Sequence, residues 1–272
     1  MGVNLQNSLN NFDINLIKNK KILVGTPTYE NHVMINYHKS MMDLLSYAKE
    51  YNISIKNYLG THDSLIPRIR NNIVKNFIEN DFDYLFFIDS DISFNPQDFF
   101  HMLYLSETTE MKIIIGAYPK KNIAWNQLDI AIKNDLVKNS NDIKKYLSEF
   151  GVNFKDSSVF DKNKPFEIDQ GSTGFMLISK TVIKDFFKNY PDQIGQNYDG
   201  TLDYVCFQSI LDKEKNIFLS EDYYFCDMIK KINYKIWLLP YVNLNHLGTT
   251  TFSGSFINYV ENLKNTKLIN NS

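Results

Sequence analysis

The sequence predicts an α/β fold: one domain with a mostly parallel central sheet flanked by helices. Two observations predict it. Over the first 121 residues, short apolar runs alternate with amphipathic stretches in the order strand, helix, strand, helix, strand, helix, strand. The composition, 43% hydrophobic and 14% aromatic over 272 residues, supplies enough apolar side chains for a sizeable core.

Each element has its own signal. "KKILVGTPTY" (20–29) is an apolar run closing in Gly, Thr and Pro, as a buried parallel strand followed by a loop does. In "NYHKSMMDLLSYAKEYN" (36–52), Met41, Leu44, Leu45 and Ala48 recur at helical spacing. "ISIKNYLG" (53–60) reads as the second strand. "DSLIPRIRNNIVKNFIEN" (63–80) reads as a helix capped by Asp63 or Ser64, with Ile69, Ile73, Phe77 and Ile78 inward. "DYLFFIDSDISF" (83–94) carries the third strand, a helix follows over 96–106, and "KIIIGAY" (112–118) is the fourth strand. From 122 to 166 the pattern fades into a polar stretch rich in Lys and Asn, with one amphipathic piece near "DIKKYLSEF". It returns at 171–187, a glycine-marked strand leading into a helix, then in a helix over 220–231 and an extended segment over 234–248 broken by Pro240. The chain closes in a helix over 255–272. Two functional halves follow, about 20–121 and about 122–254.

The global numbers exclude several classes. A net charge of -2 provides no basic field, so nucleic acid is not an expected partner. Cys206 and Cys226 show no metal-ligand spacing and fit a reducing compartment. No apolar run approaches the roughly 20 residues that span a bilayer, and "MGVNLQNSLNNFDINL" lacks a signal-peptide pattern. The expectation is a cytoplasmic protein with no transmembrane segment, peripheral membrane contact remaining open.

The chemistry concentrates at segment ends. Ligands of open α/β sheets bind at the carboxyl ends of strands. "IDSD" places Asp89 and Asp91 there, and alternation along a strand puts both on one face. Two such carboxylates repel unless a cation offsets them, and hard oxygen donors suit Mg²⁺ or Mn²⁺. Alternatively they cap the helix beginning near Pro96. His246 in "HLGTTTFSG" ends an extended segment, where it is either a third metal ligand or a hydrogen-bonding surface residue. Glu221 and Asp222 of "SEDYYF" open a helix, either as first-turn acids on its dipole or as a general base. "GSTGF" is a tight turn or a place where backbone approaches a sugar.

The order "ILVGTPTYE", "SLIPRIRNNIV", "DSD", "GAYPKK", "GSTGFMLISK", "SEDYYF" and "HLG" resembles the GT-A glycosyltransferases, the Rossmann-like, nucleotide-sugar-dependent fold of the family 2 type. The resemblance runs from about Lys20 to Gly254 and is nearest to compact bacterial and large-virus members, the chlorella-virus rhamnosyltransferase domain among them. It implies an inverting transfer of sugar from a nucleotide diphosphate, UDP by family frequency, to a hydroxyl acceptor. Thr26, Pro27, Thr28, Arg70, Asp89 and Ser90 are then expected on the nucleotide, Arg70 through paired hydrogen bonds to phosphate or by stacking. Asp89, Asp91 and His246 are expected on Mn²⁺ or Mg²⁺. Asp222 is expected as catalytic base, with Glu221 as its alternative. Tyr118, Lys120, Lys121, Thr173 and Gly174 are expected along the sugar and acceptor pocket.

Three rivals share parts of this pattern. A haloacid-dehalogenase-like phosphatase also carries Asp-x-Asp after an apolar strand, but on its first strand, whereas two strand–helix units precede it here. A sugar-nucleotide pyrophosphorylase needs a glycine-rich basic loop that "GTPTYEN" lacks. A non-catalytic carbohydrate-binding protein has no use for Asp89, Asp91, Asp222 and His246 together. The polar region 122–166 carries no motif, which leaves the acceptor unidentified.

Overall fold

A computed structural model of the chain describes residues 12–28, 32–61, 63–155, 160–214, 216–248 and 251–265. Outside them lie the first eleven residues, Tyr29 and Glu30 of the first motif, Thr249 and Thr250 of the glycine-rich stretch, and positions 266–272 of the segment expected as the closing helix. The strands are β1 (Lys21–Pro27), β2 (Ser54–Gly60), β3 (Tyr84–Ile88), β4 (Ile92–Ser93), β5 (Ile113–Ile115), β6 (Val152–Phe154), β7 (Phe166–Gly171) and β8 (Phe175–Ser179). They continue with β9 (Ile194–Gln196), β10 (Leu202–Tyr204), β11 (Ile210–Asp212), β12 (Ile217–Leu219), β13 (Ile236–Leu238), β14 (Asn245–Leu247) and β15 (Thr251–Ser253). The α-helices are α1 (Ile35–Glu50), α2 (Ile66–Glu79), α3 (Pro96–Thr108), α4 (Trp125–Lys133), α5 (Ser140–Ile143), α6 (Lys180–Asn189), α7 (Glu221–Lys231) and α8 (Phe256–Asn265).

One sheet, ordered β2-β1-β3-β8-β5-β13-β7-β6, forms the centre. The pairs β2/β1, β1/β3 and β5/β13 are parallel, and β8 and β7 run against their neighbours. Six of the eight strands therefore share one direction, and the architecture is the expected α/β one, a mostly parallel central sheet flanked by helices. One detail differs from a simple winding: β8 lies between β3 and β5, antiparallel to both. Strands preceding residue 121 and strands following it thus alternate within a single sheet.

Alternation along β3 sets the two faces. Leu85 and Phe87 pack with Ile69, Ile73 and Phe77 of α2 and with buried residues of α6 and α7. Tyr84, Phe86 and Ile88 pack with Met41 and Leu44 of α1 and with Phe99 and Leu103 of α3. Phe86 stacks on Phe99 at 4.4 Å between centroids. Each such fully buried side chain contributes roughly 1.5–3 kcal/mol, so β3 is held on both faces. α2 sits close over the sheet because β1 offers Gly25 beneath it. A Cβ at Gly25 would stand 2.3 Å from Ile73.

Two expectations are corrected in detail. Helix α2 has Leu65 at its N-cap, and Asp63 instead accepts from Leu65 N at 2.9 Å while pairing with Arg68. Pro67 in the first turn fixes where that helix starts. Ile78 is only partly buried, and Arg70 shares the buried stripe of Ile69, Ile73, Val74 and Phe77. The region 122–166, which carries no motif, holds α4, α5 and β6.

Candidate active site

By alternation, Asp89 continues the Leu85–Phe87 side of β3 and so points toward α2. Arg70 waits there, one turn ahead of Ile73 and Val74, with its side chain only 3% exposed. Its Nη2 donates to Asp89 Oδ1 at 3.1 Å, and its guanidinium lies 5.4 Å from the Phe87 ring centroid. The chain does not continue straight to Asp91. Ile92 N donates to Asp89 O at 3.1 Å, closing a tight turn after the strand. The shared face expected for the two acids is therefore not formed, because the turn interrupts the strand alternation that would have produced it. Asp89 turns to Arg70, and Asp91 turns to Lys121 and His246.

Helix α7 brings the second pair of acids. Ser220 stands at its N-cap position without a side-chain capping bond, and Glu221 and Asp222 fill its first turn, where the helix dipole favours negative charge. Glu221 Oε1 lies 3.7 Å and Asp222 Oδ1 3.9 Å from Arg70 Nε, ion-pair distances rather than hydrogen bonds. Burial disfavours the charged guanidinium, but Asp89, Asp222 and Glu221 outweigh it and raise the Arg70 pKa. Burial pushes the Asp222 carboxyl up to about 6; Arg70 opposes the shift and Glu221 reinforces it. Four polar atoms buried here lack a hydrogen-bond partner: Asp222 Oδ1, Arg70 Nε, Arg70 Nη1 and Thr173 Oγ1. Such a concentration is unusual, since buried polar groups are nearly always paired.

The antiparallel strand β8 starts at the same rim. Asp89 N donates to Gly174 O at 2.9 Å. A Cβ at Gly174 would lie 2.5 Å from both Asp89 Oδ2 and the Tyr118 hydroxyl, so glycine is what allows the two side chains to meet there. Burial, then the charges of Asp89 and Asp222, push the Tyr118 pKa well up, keeping it a neutral phenol. The Tyr118 ring meets His246 edge-on at 5.1 Å. Tyr118 thereby joins the Arg70 cluster to the Asp91 pair.

At that pair, His246 Nδ1–H donates to the Pro119 carbonyl at 2.9 Å. Nε2 is left facing Asp91 Oδ1 at 3.4 Å. A neutral imidazole so placed sets two acceptors toward one point, which requires a proton or a cation between them. Lys121 Nζ contacts the other oxygen, Asp91 Oδ2. Burial raises the Asp91 pKa, but His246 and Lys121 together hold it below its ordinary value. This donor chemistry fits a divalent ion, which Asp91 and His246 would hold together with phosphate and water. Asp89 faces Arg70 instead, and among the described residues no group of three or more His, Cys, Asp or Glu is arranged to hold a metal.

The other expected residues divide. Thr26 and Thr28 are buried at the end of β1, with Thr26 Oγ1 2.7 Å from the Tyr37 hydroxyl and Thr28 Oγ1 donating to Gly60 O at 2.7 Å. Pro27 lies between them and is buried. Ser90 sits in the turn between the acids, its carbonyl accepting from Met34 N at 2.8 Å. Lys120 is exposed, and its backbone N donates to Glu149 O at 2.7 Å. One contributor has no signal in the sequence. Asn71 Oδ1 accepts from Cys206 N at 3.0 Å and Phe207 N at 2.9 Å, while its Nδ2 donates to Phe207 O at 2.8 Å. It thus ties the Arg70 helix to the segment approaching α7.

No protein-family model and no curated protein matches the sequence. Among solved structures, the chain is similar to A197 from STIV, at 16% identity and a TM-score of 0.47, over 84% of this chain and 86% of that one. It is similar to GalNAc-T7, crystallised with UDP, GalNAc and Mn²⁺, at 11% identity and a TM-score of 0.43, over 90% of this chain and 48% of that one. It is also similar to a glycosyltransferase involved in the glycosylation of the major capsid of PBCV-1, at 11% identity and a TM-score of 0.31, over 62% of this chain and 66% of that one. The chain spans about half the length of GalNAc-T7. None of the three assigns a chemistry to this chain. Among the described residues, no helix is long and apolar enough to cross a membrane.

Proposed function

We propose that the protein is a metal-dependent, inverting glycosyltransferase that moves a sugar from a nucleotide diphosphate, a UDP-sugar by preference, to a hydroxyl acceptor. One observation carries this reading: the half-buried Asp222 carboxylate, with its inner oxygen Oδ1 unpartnered and its pKa pushed up to about 6, at the rim of the sheet that also presents the Asp91–His246 pair. A base with a pKa near 6 is largely ionised at neutral pH yet still accepts a proton well.

Asp222 takes the proton of the acceptor hydroxyl as its oxygen attacks the anomeric carbon. The bond from that carbon to the diphosphate breaks, the diphosphate leaves with the electron pair, and the single displacement inverts configuration. Arg70 holds Asp89, Glu221 and Asp222 in register from below. Asp91 and His246 would hold Mn²⁺ or Mg²⁺, which when bound neutralises the diphosphate. Thr26, Pro27, Thr28 and Ser90 lie toward the nucleotide, and Tyr118, Lys120, Thr173 and Gly174 toward the sugar and acceptor. The half up to 121 serves the donor, and the half from 122 to 254 the acceptor.

A thermal-shift screen of UDP, GDP, dTDP and CMP, each with and without Mn²⁺, tests the reading. The expected result is a shift with one diphosphate only when Mn²⁺ is present, about 2.7 kcal/mol at a hundred times the dissociation constant. A folded sample that responds to no nucleotide refutes it.

A further inference from the structure

Asp91 Oδ2 is contacted by the Lys121 ammonium, and Oδ1 faces His246 Nε2 at 3.4 Å. Lys121 and His246 are anchored by one short segment. The Pro119 carbonyl accepts from His246, Pro119 bridges antiparallel to Phe150, and Lys120 N and Ala124 N donate to Glu149 O and Leu147 O at 2.7 and 3.0 Å. The Lys121 backbone is therefore fixed while its side chain stays 37% exposed. An ion pair this exposed contributes little to stability and separates readily, whereas a divalent ion on the same carboxylate gains twice the charge.

We propose that Lys121 is a guard cation on Asp91: its ammonium on Oδ2 opposes a divalent ion on the Oδ1 side of the same carboxylate, and the diphosphate of the donor draws that ammonium away. This rests on the metal site of the proposed function and adds an order to it. The metal binds weakly alone and tightly with the donor, because both act on one lysine. By linkage, the factor by which UDP tightens Mn²⁺ equals the factor by which Mn²⁺ tightens UDP. Lys121, expected from the sequence along the sugar pocket, is then the residue that makes the two ligands interdependent.

The experiment measures Mn²⁺ affinity by the electron paramagnetic resonance signal of the free ion, with and without UDP. It compares the unmodified protein, Lys121→Met, Lys121→Arg and Asp91→Asn. Lys121→Met is expected to bind Mn²⁺ about tenfold more tightly without UDP and to show a smaller gain when UDP is added. Lys121→Arg, which keeps the charge, is expected to retain the original affinity, and Asp91→Asn to lose it. Unchanged Mn²⁺ affinity in Lys121→Met, with Asp91→Asn still impaired, overturns the guard role and leaves the metal site standing. Absence of Mn²⁺ binding from every protein, with UDP present, overturns the metal site and the guard role together.

Discussion

Asp222 Oδ1 stops 3.9 Å from Arg70 Nε, and neither atom has a hydrogen-bond partner. A buried carboxylate beside a buried guanidinium ordinarily closes a short paired contact. Here the guanidinium gives its closest bond to Asp89, and Asp222 Oδ1 is left buried without a partner.

Asp222→Asn should lower kcat by about a thousandfold, within the usual range for loss of a general base, while KM for the sugar nucleotide stays close to its original value. The kcat/KM of the unmodified protein should climb with pH through about 6 and level off above it, because the base must be ionised. Steady-state kinetics from pH 5 to 8 check both. A fall in nucleotide affinity with kcat preserved refutes the assignment.

The same substitution should stabilise the fold at neutral pH. The folded-state pKa of Asp222 is raised from 3.8 to about 6, so the folded chain binds more protons than the unfolded chain between those values. Stability contributed by this group is present below about pH 4 and lost as pH rises through 6. Above pH 6 the ionised carboxylate costs up to about 3 kcal/mol, at 1.36 kcal/mol per unit. Asp222→Asn should therefore melt higher than the unmodified protein at pH 7, with the gap closing toward pH 4.

Arg70→Met should be among the most damaging single changes. It leaves Asp89, Glu221 and Asp222 crowded without their shared counter-charge, and breaking a buried pair costs about 3–5 kcal/mol. Combining it with Asp222→Asn should recover part of that loss. Denaturant melts of the two single variants and the double variant measure the coupling, and strict additivity would sink the idea of one charge cluster.

Gly174→Ala should leave the sheet intact and disable the site. The new methyl meets Asp89 Oδ2 and the Tyr118 hydroxyl at 2.5 Å, and Asp89 can yield only by leaving Arg70. Circular dichroism should be unchanged while the thermal shift with UDP and Mn²⁺ disappears.

Much of this was legible in the sequence. Strands β1 to β3 and the helices between them are long enough to display their periods, and Asp89, Asp91, Glu221 and Asp222 fall at element ends where side chains reach solvent. The reversal of β8 was not legible. "FMLIS" is buried on both faces, and an apolar run without alternation reads the same in either direction. Strands β9 to β12, β14 and β15 are three residues each, too short to show a period. Arg70 did leave a trace: it stands at helical spacing with Ile73, Val74 and Phe77, which marks an inward-facing cation. Asn71 left none, because its partners are backbone groups at positions 206 and 207, far along the chain.

The reversed strand has a consequence for the order of events during synthesis. β3 is flanked by β1 and β8, and β5 pairs only with β8 and β13. A nascent chain can assemble β2, β1 and β3 early, but the far edge of β3 has no partner until residue 175 emerges. At roughly 5–20 residues per second, that edge waits for several seconds on the ribosome. The strand that ends the wait also seats Gly174 on Asp89, so the rim of the candidate site is completed by the same pairing that closes the middle of the sheet.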